Sequence, residues 1–143
     1  MQLSDPVQIL NLNDFLPLDG EDKIEIFTDG GELNLDIFYE VAGVESRTAK
    51  LRIHFSYAHY FVKTPFPGYS FIYGPDDSDS SLLYSLVEYQ RSDVLDQMCK
   101  FSEENGFRHY TGYKHYRLFL HSVGVAIHVI AKSCEISNEE LIG

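Results

Sequence analysis

At 143 residues, with 44% apolar and 14% aromatic side chains, the chain has the composition of one ordinary folded domain and not of a disordered segment. A formal net charge of −11 argues against nucleic acid and anionic membranes as partners, because both reward positive surface. No apolar run reaches the roughly 18 residues a membrane helix needs, and the start, carrying Asp5 and Asp14, does not read as a signal peptide, so a cytoplasmic setting is expected.

Residues 1–20, with Leu12, Phe15, Leu16 and Leu18 among polar residues, read as a lead-in that packs on the domain. From Lys23 the period changes to two. Ile24, Ile26 and Thr28 alternate with Glu25, Phe27 and Asp29, and Gly30-Gly31 supplies a two-residue turn. The return strand alternates as Leu33, Leu35, Ile37, Tyr39 and Val41. Placing Asp29 opposite Glu32 aligns Thr28 with Leu33, Ile26 with Leu35 and Ile24 with Ile37 on one face. A connection over 42–49 leads to a third strand with Leu51, Ile53, Phe55 and Tyr57 inward and Lys50, Arg52, His54 and Ser56 outward. Setting Val41 against Leu51 pairs Tyr39 with Ile53 and Glu40 with Arg52, a meander with one wet face.

Seven aromatics then crowd together: Tyr57, Tyr60, Phe61, Phe66, Tyr69, Phe71 and Tyr73. Among them Pro65-Phe66-Pro67-Gly68 cannot be a central strand, because proline donates no ladder hydrogen bond. A polar acidic loop follows at 74–81, and Leu82 to Tyr89 fits a strand or the start of a helix, with strand favoured. Ser92 or Asp93 caps a helix near 93–105 with Val94, Leu95, Met98 and Phe101 on one stripe, ended by Gly106.

The firmest pattern lies at 115–132. Two apolar runs flank Ser122-Val123-Gly124, and Leu120 opposite Val125 puts Leu118 on Ile127 and Tyr116 on Val129. The other side of that hairpin carries Arg117 opposite His128 and Phe119 opposite Ala126. Residues 137–143 read as an acidic, frayed tail of a single domain spanning 1–143.

Charge is unevenly placed. Residues 46–75 and 105–132 each carry four bases and no acid, and all six histidines fall in these blocks. Balancing between neighbouring strands is the plain reading; a titratable basic patch is the sharper one. Asp77, Asp79, Ser81 and Glu88 match ligand positions of a calcium loop, but Leu82 stands where that loop needs glycine, so no calcium is expected. Neither the histidines nor Cys99 and Cys134 have the spacing of a metal site, and the two cysteines are expected to be reduced core thiols. There is no GxSxG elbow and no phosphate loop. No metal, no cofactor and no catalytic residue is assigned.

The most suggestive candidate site is the proline-fixed aromatic turn beside the acidic loop: Phe66 and Tyr69 with Asp76, Asp77 and Asp79. Aromatic anchors ringed by acids suit recognition of a basic protein partner.

The stretch His115-Tyr116-Arg117-Leu118-Phe119-Leu120 with Ile127-His128-Val129-Ile130-Ala131 resembles the closing hairpin of small uncharacterised bacterial domains. Some of these resemble immunity proteins of bacterial toxin systems, and the resemblance, which covers a fifth of the chain, implies a protein that neutralises a toxin by binding it.

The expectation is therefore an α+β domain, mainly antiparallel sheet, built as a meander plus C-terminal hairpin in a sandwich or partial barrel, with one packed helix. The expected function is non-enzymatic binding of a basic partner, of the immunity type. The alternatives are a structural domain that dimerises through an aromatic sheet face, and a small ligand-binding barrel or enzyme.

Overall fold

The computed structural model describes residues 2–41, 47–65, 72–73, 80–106 and 111–142. Two glycine-bearing turns fix most of the antiparallel pairing. Gly30, at φ 60°, turns strand β2 (Lys23–Asp29) into β3 (Glu32–Glu40), and Asp29↔Glu32, Ile26↔Leu35 and Ile24↔Ile37 pair as the alternation requires. Gly124, at φ 69°, turns β8 (Lys114–Leu120) into β9 (Val125–Ala131), with Leu118↔Ile127, Tyr116↔Val129 and Arg117↔His128 all in the expected register. Positive φ is open to glycine at no steric cost, which is why these turns close tightly.

The strands form two sheets. The larger runs β5 (Tyr60–Pro65), β9, β8, β7 (Ser85–Ser92), β1 (Gln2–Asn11) and β6 (Ile72–Tyr73). The smaller runs β10 (Ser133–Ile136), β4 (Thr48–Ser56), β3 and β2, with β11 (Glu140–Leu141) also on β4. Except for the parallel β1–β6 pair, every pairing is antiparallel. A short helix α1 (Ser80–Leu83) precedes β7, and α2 (Asp93–Glu104) follows it. The architecture is an α+β sandwich and not a closed barrel.

The inner faces meet in one core. Leu33, Leu35, Ile37, Tyr39, Ile53 and Phe55 from the small sheet pack with Leu86, Tyr116, Leu118, Leu120, Ile127 and Val129 from the large one. At about 25 cal/mol per Å² of apolar surface removed from water, this burial is the main source of stability. A second cluster, with Leu3, Val87, Tyr89, Val94 and Ile130 at its centre and Leu95 and Met98 of α2 against it, covers the outer face of the large sheet.

The chain passes between sheets twice near one edge. After β4 it leaves at Tyr57, whose φ of 52° bends the backbone, and His59 N–H reaches Ile130 C=O at 3.0 Å as β5 begins. After β9 it returns through Lys132, whose N–H donates to Ser56 C=O at 2.9 Å before β10 pairs with β4.

Five expectations need correction. The lead-in is largely a strand: β1 lies between β7 and β6, and only its end, 12–14, forms a 3-10 turn. Asp5 at φ 55° and a register shift between Gln8 and Leu10 break its alternation, which hid it. Tyr57 turns outward and is 53% exposed, because the backbone bends there. The β3–β4 register lies four residues from the expected one, with Ile37↔Leu51 and Asp36↔Arg52 paired in place of Val41 with Leu51 and Glu40 with Arg52. Phe101 is 60% exposed, so the buried face of α2 is Val94 and Ser102, with Leu95 and Met98 half-buried. Finally, the tail is docked: Ser137 N–H donates to Arg52 C=O, Ile142 N–H to Thr48 C=O, and the Tyr39 hydroxyl donates to the Glu139 carboxylate. The helix itself holds its predicted place, with Ser92 as N-cap accepting from Leu95 N–H at 3.2 Å.

Candidate functional site

The residues singled out in the sequence, Phe66, Tyr69, Asp76, Asp77 and Asp79, lie outside the described residues, as do most of the acidic loop and His109. The candidate chemistry of the described chain gathers in two places on the large sheet.

The first is the outer face of the β8–β9 hairpin. His115, Arg117 and His128 lie on the polar side of the hairpin, yet all three are 0% exposed, because the second hydrophobic cluster closes over their face. Ser92 Oγ lies 2.6 Å from His115 Nδ1, and His115 Nε2 lies 2.9 Å from His128 Nδ1. Burial pulls both imidazoles below their ordinary pKa, and the Arg117 charge adds to this; His115 falls to about 4. Both rings are therefore neutral near pH 7. With Ser92 Oγ already accepting from Leu95 N–H, one consistent assignment sends Ser92 O–H to His115 Nδ1 and His115 Nε2–H to His128 Nδ1. Arg117 Nε donates to the Tyr89 hydroxyl at 3.0 Å and its terminal nitrogen to Leu82 C=O at 3.1 Å, while its guanidinium lies 4.2 Å from the Phe119 ring centroid.

A hydroxyl on an imidazole resembles a nucleophile on its base. Here the hydroxyl is 4% exposed and caps a helix. What the chain of hydrogen bonds does is tie the start of α2 to the hairpin below it.

The second place is a cleft of about 220 Å³ at one end of the sandwich. It opens where the segment between β1 and β2 meets the β8–β9 turn. Leu12, Leu16 and Phe119 supply its apolar wall, Tyr84 and His121 its aromatic one, and Glu21 its charge. The Tyr84 and His121 rings lie 4.7 Å apart at 30°. Glu21 is 5% exposed, and its Oε1 accepts from Ser122 N–H at 2.7 Å and Val123 N–H at 3.0 Å. Ser122 Oγ donates to Asp19 C=O at 2.8 Å, closing the segment onto the turn. Gly20 makes this approach possible, since at φ 80° a Cβ there would sit 2.3 Å from Ser122 Oγ.

The outer face of the small sheet is charged and internally balanced. Asp36 takes Arg52 through two hydrogen bonds of 2.7 and 3.0 Å, and Lys50 bridges Asp36 and Glu140 at 4.0 and 3.5 Å. His54 Nδ1 meets Asn34 Oδ1 at 2.7 Å and its Nε2 meets Glu32 at 2.9 Å. The basic block at 46–56 is thus balanced by acids of β3 and β11. Cys99 and Cys134 form no disulfide, and burial raises the Cys134 thiol pKa. Among the described residues no group of three or more His, Cys, Asp or Glu is placed to hold a metal ion.

Nothing matches. No family model, no curated protein and no solved structure is found to resemble the chain. The site has to be read from its own chemistry.

Sequence reasoning missed Glu21 and Tyr84, because the cleft joins segments about 100 residues apart and neither residue sits in a motif. His115, Arg117 and His128 were legible as one face of the hairpin. That this face is covered was not legible, since the covering residues come from β1, β5, β7 and α2.

Proposed function

We propose that this chain is a non-enzymatic binding protein for a basic protein partner, acting as immunity-type inhibitors of basic toxins act. The observation that carries the reading is the disposition of its charges. Arg52, Lys50, Lys23, Arg91 and Lys114 are each engaged by an acid of the chain itself, and Arg117 is buried. Among the described residues Arg47, Lys63, Lys100 and Lys132 stand exposed with no ion pair, but so do Asp14, Asp19, Asp22, Asp29, Glu40, Asp96, Glu103, Glu104 and Glu135. The field left for a partner is negative, and such a field raises encounter rates with positive surfaces. The aromatic and acidic stretch of Phe66, Tyr69, Asp76, Asp77 and Asp79, read from the sequence, is proposed as the segment that contacts the partner.

The test is kinetic. A partner isolated from the source cells should be basic, and its association rate with the immobilised protein should fall steeply as salt rises. Phe66→Ala should speed dissociation, while Asp76→Asn with Asp79→Asn should slow association and flatten its salt dependence. A neutral or acidic partner whose on-rate ignores salt sinks the reading.

A further inference from the structure

We infer that the cleft between the β1–β2 segment and the β8–β9 turn is a socket for the ammonium group of a lysine side chain presented by the partner. The inference rests on the basic-partner reading above for the source of that group, and on the cleft alone for its chemistry.

Glu21 is the centre of the argument. Its side chain is 95% buried and lines the cleft, yet only Oε1 is occupied, by the Ser122 and Val123 amides. Among the described residues no donor reaches Oε2. Oε2 is not one of the buried polar atoms left without a partner, so it meets the solvent of the cleft and is open to a cation that enters there. The two amides orient the carboxylate in advance, which reduces what an arriving donor must order.

The walls select the rest of the ligand. Leu12, Leu16 and Phe119 suit an aliphatic stem, and the Tyr84 ring, 4.7 Å from that of His121, adds aromatic surface. The cleft, at about 220 Å³, has room for a four-carbon stem with its nitrogen. Asp14, Asp19 and Asp22 stand exposed on the same segment and draw cations toward the mouth. An anion would meet the Glu21 carboxylate.

The test uses the intact protein, labelled with ¹⁵N, and watches the Ser122 and Val123 amides. The probes are acetyl-Gly-Lys-Gly-amide, the same peptide with acetyl-lysine, and n-butylammonium chloride. The lysine peptide should shift both amides saturably, the acetyl-lysine peptide should not, and Glu21→Gln should weaken binding about tenfold or more. Glutamine keeps an oxygen for the two amides, so the turn should survive. Should that variant unfold, Tyr84→Ala decides in its place, because it removes the aromatic wall without touching the buried carboxylate and should weaken binding several-fold. Saturable shifts from butylammonium with none from the lysine peptide would overturn the partner-lysine source and leave a small amine as ligand. Equal response to lysine and acetyl-lysine peptides, or no response to any probe, would overturn the socket itself. The basic-partner reading stands or falls separately, on the salt dependence of association.

Discussion

Asp36 and Arg52 face each other across β3 and β4, and the guanidinium grips both carboxylate oxygens, at 2.7 and 3.0 Å, although Asp36 is only 2% exposed. A two-pronged arginine–carboxylate contact is directional as well as charged. It therefore holds β4 in register against β3 on the face away from the core. The bond, with lesser contributions from Asp36 and Glu140 charge, raises the Arg52 pKa despite the opposing effect of burial.

Replacing Arg52 by methionine leaves a buried carboxylate with Lys50 alone at 4.0 Å. The expected loss is about 1–3 kcal/mol. A double-mutant cycle with Asp36→Asn should give a smaller coupling of about 1 kcal/mol, since Arg52 is partly solvated. Urea midpoints of the four proteins measure both; zero coupling would remove the register role.

The buried imidazoles make stability depend on pH. His115 is held to about 4 in the fold against an ordinary value near 6.5, first by burial and then by the Arg117 charge; His128 is lowered in the same direction by burial, His115 and Arg117. The unfolded chain therefore binds protons that the native one refuses. Stability is complete above the unfolded pKa and is lost as pH falls from about 6.5 toward 4. For His115 alone the loss between pH 7 and pH 5 comes to about 2 kcal/mol at about 1.4 kcal/mol per pKa unit. Denaturant melts at pH 7, 6 and 5 should show this slope, and His115→Gln should flatten it while lowering stability at pH 7. A wild-type midpoint that is level across this range would contradict the neutral pair.

How much of this was readable beforehand depends on what fixed each register. The β2–β3 and β8–β9 hairpins were legible because a short turn with glycine leaves one alignment that puts Ile26 on Leu35 and Leu118 on Ile127. The β3–β4 pair was legible in face but not in offset. A shift of four residues keeps every apolar side chain inward, so alternation cannot distinguish Ile37 opposite Leu51 from Val41 opposite Leu51. Strand β1 was lost because Asp5-Pro6 interrupts the alternation that marks a strand. The cleft was lost for a different reason: Glu21 and Ser122 meet only after both sheets have assembled.

Leu118 is 1% exposed at the centre of the inter-sheet core. Leu118→Ala should cost about 2–5 kcal/mol, the range for a leucine whose cavity does not collapse. A thermal melt unchanged within error would mean that the two sheets do not pack through this face.

Gly20→Ala should destabilise for two separable reasons. A side chain at φ 80° costs about 1 kcal/mol, and the new methyl group meets Ser122 Oγ at 2.3 Å. In a Ser122→Ala background the second cost disappears and the first remains. The substitution should therefore be distinctly milder there. Equal penalties in both backgrounds would show that the 17–22 segment does not rest on the β8–β9 turn.

Strand β4 has β3 on one side and, on the other, only the short strands β10 and β11. Those strands come from residues 133–142, far along the chain from β4. Until they arrive, a nine-residue strand with one apolar face presents an open row of amide and carbonyl groups, the kind of template on which another chain adds itself. The order of assembly thus carries a hazard that the finished fold conceals. Shortened forms ending at Ala131 should aggregate through that edge even where their core is intact, and a synthetic peptide of residues 133–142 should suppress the aggregation by occupying it.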